Sequence, residues 1–351
     1  MQPLQLFLVF MTSSLLDSTW AASGRTRRGL RELFNVTSDN NLAQLMDIVI
    51  GLVKNEDARI HCKETIIPEK EVTILCGHKD SRNFQEIVLD DPDLQGKINL
   101  TKPIFFVIHG WTDNGTKLWE QGIADNVVQF MDQNACVVSW ARLADYEYTV
   151  SAIKHVPIVA EYLTKFVRFI NRNGIPLSSF TLAGHSLGAH ISGQIGRSLN
   201  GHLGAIYGMD PAQALFTAPF DRGFPLRLDR SDAKYVQMII TSRGQAGVLN
   251  GDGHENFYPN GGTLPQPNCL APLSSDAEFA DQLLCSHLHS TLLFRNSIDP
   301  KIVFMARQCS DWMMYLAKKC DINKSNKMGP YSSRIGGDFY LRTSAVAPFN
   351  V

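Results

Sequence analysis

The stretch Gly184-His185-Ser186-Leu187-Gly188 sets one hydroxyl between two glycines, directly after the apolar run FTLA. A serine becomes a nucleophile when a base removes its proton and a third group orients that base. The G-x-S-x-G spacing has a mechanical reason: a strand turning sharply into a helix crowds the positions two before and two after the serine. Glycine at 184 and 188 relieves that crowding and lets Ser186 take a strained backbone that points its hydroxyl outward. The helix that follows aims its free N–H groups and positive dipole end at the reacting atoms.

On such an elbow the acid and base follow in the order Ser, Asp/Glu, His. Asp210 in GMDPA ends a strand-like run, before a proline that stops regular continuation, and His287 lies in CSHLHS next to Cys285. A developing oxyanion needs two backbone donors, and the N–H groups of Trp111, after the run IFFVIHG, and of Leu187 are the natural pair. Gly110 matters there more than the tryptophan ring, because the donor is on the main chain. The rivals are weaker. His289 stands two residues past His287, Asp229 and Asp232 in LRLDRSDAKYV read as a surface turn, and His185 and His190 read as structural histidines of the elbow and its helix.

These residues need a scaffold that brings distant strand ends together. Apolar runs of strand length end at Gly110, Trp140, Ser186, Asp210 and Thr241, continuous rather than alternating, as strands buried on both faces should be. Between them lie helical patterns such as Ile153–Asn171, where Val156, Val159, Ala160, Leu163, Phe166, Val167 and Ile170 recur on one face. Strand, helix, strand predicts an α/β fold around a mostly parallel sheet, with helices on both faces.

A chain of 351 residues with 44% hydrophobic and 19% charged residues can bury a large core, and its net charge of −1 supplies no field that would gather nucleic acid. There is no glycine-rich phosphate loop and no catalytic metal spacing, so neither cofactor nor metal is expected. Leu4–Leu16 is an apolar stretch of 13 residues followed by Ala21 and Ala22, which predicts a signal peptide over 1–22 and a secreted protein. Residues 23–58 form an extension whose basic cluster at Arg25–Arg28 reads equally as a processing site ending at Arg28 or as a solvated linker. The rest, 59–351, is one domain. Sequons at Asn35, Asn99, Asn114 and Asn323 would become glycan acceptors in the secretory route. Of seven cysteines, local loops suggest Cys62–Cys76, Cys269–Cys285 and Cys309–Cys320. Cys136, inside the apolar run ACVVSW, is left as a buried free thiol.

HGWTDNG, GHSLGAH, GMDPA, LRLDRSDAKYV, YPNGG and CSHLHS occur in the order found in the pancreatic lipase family, which this chain resembles over about residues 60 to 345. The resemblance implies the α/β-hydrolase fold and a secreted lipid acyl-ester hydrolase. It places the nucleophile on Ser186, the acid on Asp210, the base on His287 and the oxyanion donors on Trp111 and Leu187. Two departures bear on substrate and partners. The chain stops at Val351 soon after GDFYLRTSAVAPF, leaving no room for the family's β-sandwich domain, so no colipase partnership is expected. The lid between Cys269 and Cys285 is 15 residues, Leu270 to Leu284, with Leu270, Leu273, Phe279, Leu283 and Leu284 set among Ser and Asp, and the stretch RGQAGVLNGDG is compact. In this family short versions of both accompany phospholipase A1 activity, so the expected substrate is phospholipid at a lipid–water interface. A triacylglycerol lipase and a catalytically silent lipid-binding or yolk-type protein are the alternatives.

Overall fold

The structure, a computed structural model, describes residues 65–80, 83–219, 221–270 and 276–351, with the backbone alone over 276–280. The expected signal peptide over 1–22 and the expected extension over 23–58, with Arg28 and Asn35, lie outside the described residues, as do Cys62, Leu273 and the side chain of Phe279.

The strands are β1 (Thr73–Gly77), β2 (Gln85–Glu86), β3 (Ile104–Ile108), β4 (Asn134–Ser139), β5 (Phe180–His185), β6 (Ala205–Met209), β7 (Val236–Ile239), β8 (Glu255–Pro259), β9 (Met305–Gln308), β10 (Ser325–Lys327) and β11 (Gly337–Leu341). They form one sheet in the order β10-β9-β11-β8-β7-β6-β5-β3-β4-β1-β2. The run from β4 through β3, β5, β6, β7 and β8 to β11 pairs in parallel, while β1, β2, β9 and β10 add antiparallel edges. All five apolar runs of the sequence are strands of the parallel part. Of the other six strands, β8 is wholly buried but opens on the polar Glu255 and Asn256, and the rest are short or partly exposed, so none carried a comparable apolar signal.

Strand β3 shows why both faces are covered. All its residues are buried. By the two-residue period of a strand, Ile104, Phe106 and Ile108 enter one apolar layer and Phe105 and Val107 the other. On the first face Phe106 meets Phe166, edge on, and Phe180, stacked, at 6.4 and 6.3 Å. On the second, Phe105 lies 6.3 Å from Phe294.

Four helices frame the sheet: α1 (Leu118–Asn126), α2 (Val156–Arg172), α3 (Leu187–Ser198) and α4 (Asp276–Ser297). All seven apolar positions read from the sequence in α2 are buried. The α-helix starts at Val156 rather than Ile153, and Ser151–His155 forms a wider π-type turn. Pro157 accounts for this: it has no N–H to give the carbonyl of Ile153, and its ring crowds that carbonyl, so it belongs in a first turn.

One disulfide differs from expectation. Cys76 is bonded to Cys136, not to Cys62, and Cys136 is not a free thiol. The reason is register: β1 runs antiparallel to β4 with Cys76 directly opposite Cys136, their Cα atoms 4.0 Å apart. Burial of Cys136 was legible, but its partner was set by strand pairing across 60 residues. Cys269–Cys285 and Cys309–Cys320 are bonded.

Candidate active site

Ser186 ends β5 and caps α3, with φ 54° and ψ −118°, a left-handed conformation that a side chain adopts only under constraint. The constraint is visible. Its N–H donates to the Met209 carbonyl at 3.1 Å, and its own carbonyl accepts from Ala189 N at 3.2 Å and Ala212 N at 3.3 Å. A Cβ on Gly184 would fall 2.2 Å from the Gly188 carbonyl oxygen, so that glycine is required by the turn itself. Gly188 answers to a different neighbour: its Cβ would fall 2.2 Å from the Ile108 carbonyl oxygen, so it lets α3 dock on the end of β3.

That docking brings the 109–112 loop to the serine. A Cβ on Gly110 would lie 2.8 Å from Ser186 Cβ. Just beyond, Trp111 is held from its side chain, the indole N–H donating to Tyr146 O at 2.7 Å and the ring meeting Tyr148 edge on at 5.3 Å. Its backbone N–H and that of Leu187, first residue of α3, donate to no carbonyl or side chain among the described residues. For Leu187 this follows from its place in the first helical turn.

Asp210 follows β6, fully buried and with φ 46°. Its N–H donates to Ile239 O at 2.7 Å. Its Oδ1 accepts the N–H of Thr241 at 2.8 Å and of Ser242 at 3.2 Å. Its Oδ2 accepts the Ser242 hydroxyl and faces His287 Nδ1 at 2.6 Å. This buried carboxyl thus has a donor at each oxygen, and one oxygen faces the imidazole. With Nδ1–H committed to Asp210, Nε2 of His287 is left as a proton acceptor. The His287 ring sits 4.5 Å from that of His185, the residue before Ser186, and the His287 carbonyl accepts from His185 Nε2 at 3.2 Å.

Sequence reading missed Ser242, Thr241 and Gly247. Ser242 Oγ also accepts Gly247 N–H at 2.9 Å, and a Cβ on Gly247 would fall 2.3 Å from Asp210 Oδ1. The only signal was small and hydroxylated residues just past the strand YVQMIIT, which many turns share.

The rivals are placed elsewhere. Asp229 and Asp232 are buried rather than on a surface turn. Both hold Arg197 of α3, at 2.7 and 3.2 Å, and burial pushes the Asp232 carboxyl up to about 7. His289 points away from the acid because two residues along a helix turn the side chain by roughly 200°. It packs against Phe349 at 4.8 Å, and burial drives its pKa down to about 4. His190 accepts Leu228 N–H at 3.1 Å and donates to Ala212 O at 2.7 Å, a structural strut held neutral by burial. The expected lid loop is helical from Asp276, continuous through Cys285 and His287 to Ser297.

A parallel sheet whose inner strand ends in a strained serine, with an acid after the next strand and a histidine from a later helix, defines an α/β-hydrolase fold. The model of the lipase family matches residues 50–349. The chain is 31% identical over 304 residues to pancreatic triacylglycerol lipase of Homo sapiens, covering 79% of this chain and 64% of that protein. It is 33% identical over 228 residues to lipase member H of Rattus norvegicus, covering 64% of this chain and 49% of that one. It belongs to the pancreatic lipase family, and it spans less than two thirds of the length of these relatives. Among solved structures, an α/β hydrolase from a deep-sea metagenome library matches with a TM-score of 0.32 at 16% identity, over 63% of this chain and 75% of that one.

Proposed function

We propose that this chain is a secreted serine hydrolase of lipid acyl esters, with Ser186, Asp210 and His287 as its triad, and that its substrate is phospholipid cleaved as by a phospholipase A1. The observation that carries the chemistry is the 2.6 Å contact of His287 Nδ1 with a buried Asp210 beside a strained Ser186. Ser186 Oγ attacks the ester carbonyl as its proton passes to His287 Nε2. The tetrahedral oxyanion rests on the N–H groups of Trp111 and Leu187. Collapse expels the alcohol, a lysophospholipid, which takes the proton from His287. Water then adds to the acyl-serine with His287 again as base, releasing the fatty acid and restoring Ser186. No cofactor or metal enters these steps.

The phospholipid assignment is supported by the 15-residue segment between Cys269 and Cys285 and by the compact turn after β7. Arg243 N–H is tied to Gly262 O at 2.7 Å and Val248 N–H to Pro211 O at 2.9 Å, so this turn closes around Asp210 rather than extending as an apolar wall. Likeness to pancreatic triacylglycerol lipase supports the second reading, a triglyceride substrate. Secretion is supported by three disulfides, which persist in oxidising compartments. The deciding experiment compares fatty-acid release by purified protein from phosphatidylcholine vesicles and from a long-chain triglyceride emulsion. Faster release of the sn-1 chain from the vesicles is expected. Preference for triglyceride overturns the substrate, and failure of Ser186 to react with an organophosphate overturns the hydrolase.

A further inference from the structure

The Cys309–Cys320 loop lies on the sheet edge far along the chain from Ser186 and has no part in the steps above. Within it Trp312–Leu316 forms a short helix, whose Trp312 and Tyr315 rings face inward to Tyr340 at 6.4 and 6.5 Å. Their commitment turns the alternate residues outward: Met313 is 71% exposed and Met314 42%, and just past Cys320 Ile322 is 96% exposed. Three exposed apolar side chains thus gather between 313 and 322, on and just past one disulfide-closed loop.

Cations adjoin them along the chain: the Lys319 N–H donates to Met314 O at 3.0 Å, and Lys324 stands two residues past Ile322. A cavity of about 300 Å³ between this loop and β9 is lined by Arg307, Lys318 and Arg342 beside Met305 and Leu316, with Asp321 as its acid. Lys319, Lys324 and Lys327 are exposed next to it in sequence, and among the described residues none of these six cations makes an ion pair. In a chain of net charge −1 this is a local excess of one sign. We propose that the 305–327 edge docks the protein on an anionic lipid surface, with Met313, Met314 and Ile322 entering the headgroup layer and the lysines and arginines meeting lipid phosphate and carboxylate. Apolar tips flanked by cations are the pattern that interfacial attachment requires, whereas a soluble polyanion would use the cations and leave the tips wet. The loop is placed to matter for a site on the sheet, because Trp312 packs on Gly261 at the end of β8, the same end at which Asp210 leaves β6.

The inference does not rest on the hydrolase reading, and its test needs no turnover. Full-length Ser186→Ala protein is sedimented with vesicles of mixed phosphatidylserine and phosphatidylcholine, and with phosphatidylcholine alone. Binding is expected to favour the mixed vesicles and to fall with salt. It should drop roughly thirtyfold in Lys318→Gln/Lys319→Gln, from about one kcal/mol of attraction lost for each of the two cations near the surface. Met313→Ser/Ile322→Ser, at exposed positions that leave the melting temperature unchanged, should weaken it as well. Equal binding to both vesicle types, undiminished binding of the lysine variant, or retention on heparin without vesicle binding overturns the proposal.

Discussion

Gly110 stands against Ser186 with no room for a methyl group, because a Cβ there would lie 2.8 Å from the serine Cβ and 3.1 Å from the His185 carbonyl oxygen. Gly110→Ala must therefore push the 109–112 loop off the elbow and carry the Trp111 N–H with it. Losing one oxyanion donor costs about 10²–10³ in kcat. We expect a fall of that order in Gly110→Ala with KM little changed. Wild-type kcat would remove Trp111 from the oxyanion site.

Ser186 holds its left-handed backbone at a cost of about 1–3 kcal/mol, the usual range for such strain. Both Ser186→Ala and Ser186→Gly should abolish turnover. Only the glycine variant relieves the strain, so it should melt a few degrees above the alanine variant in calorimetry. Equal melting temperatures would mean that the turn is not strained in solution.

Ser242 links the acid to the turn behind it, donating to Asp210 Oδ2 and accepting from Gly247. A hydrogen bond to a charged group contributes about 1.5–3 kcal/mol. Ser242→Ala should accordingly lower kcat roughly ten- to a hundredfold, well short of the roughly 10⁴ expected for Asp210→Asn by comparison with the serine-protease acid. Full activity in Ser242→Ala would show that the Thr241 and Ser242 amides hold Asp210 unaided.

Acid should destabilise the fold in a defined window. Burial lowers His109 and His289 to about 4, His190 to about 3, and His185 well below its usual value. For a histidine depressed in the folded state, the unfolded chain binds the extra proton. Stability is then complete above the unfolded pKa of about 6.5 and is lost as pH falls from there toward 4. His289 is the one to test, since neither ring nitrogen has a hydrogen-bond partner among the described residues. His289→Leu should flatten the acid limb of a melting-temperature profile, and an unchanged slope would show that His289 does not contribute.

Much of the site was legible because its causes are local. The G-x-S-x-G spacing answers to steric crowding within five residues, and the apolar runs and the stripe from Val156 to Ile170 answer to burial on a fixed period. The order of Ser186, Asp210 and His287 anticipated that two strand ends of a parallel sheet and a later helix would bring these three residues to one candidate site. Tertiary structure alone decided what depends on register and on contacts far along the chain. Cys76 found Cys136 because β1 slid into antiparallel pairing with β4, and no spacing in the sequence encodes that offset. Ser242 and Gly247 became supports of Asp210 because β7 lies beside β6, and their residue types are common in any turn. Asp229 and Asp232, polar by sequence, lie inside because Arg197 of α3 reaches both and the Ser231 and Asp229 N–H groups donate to them, and a buried carboxyl depends on such partners.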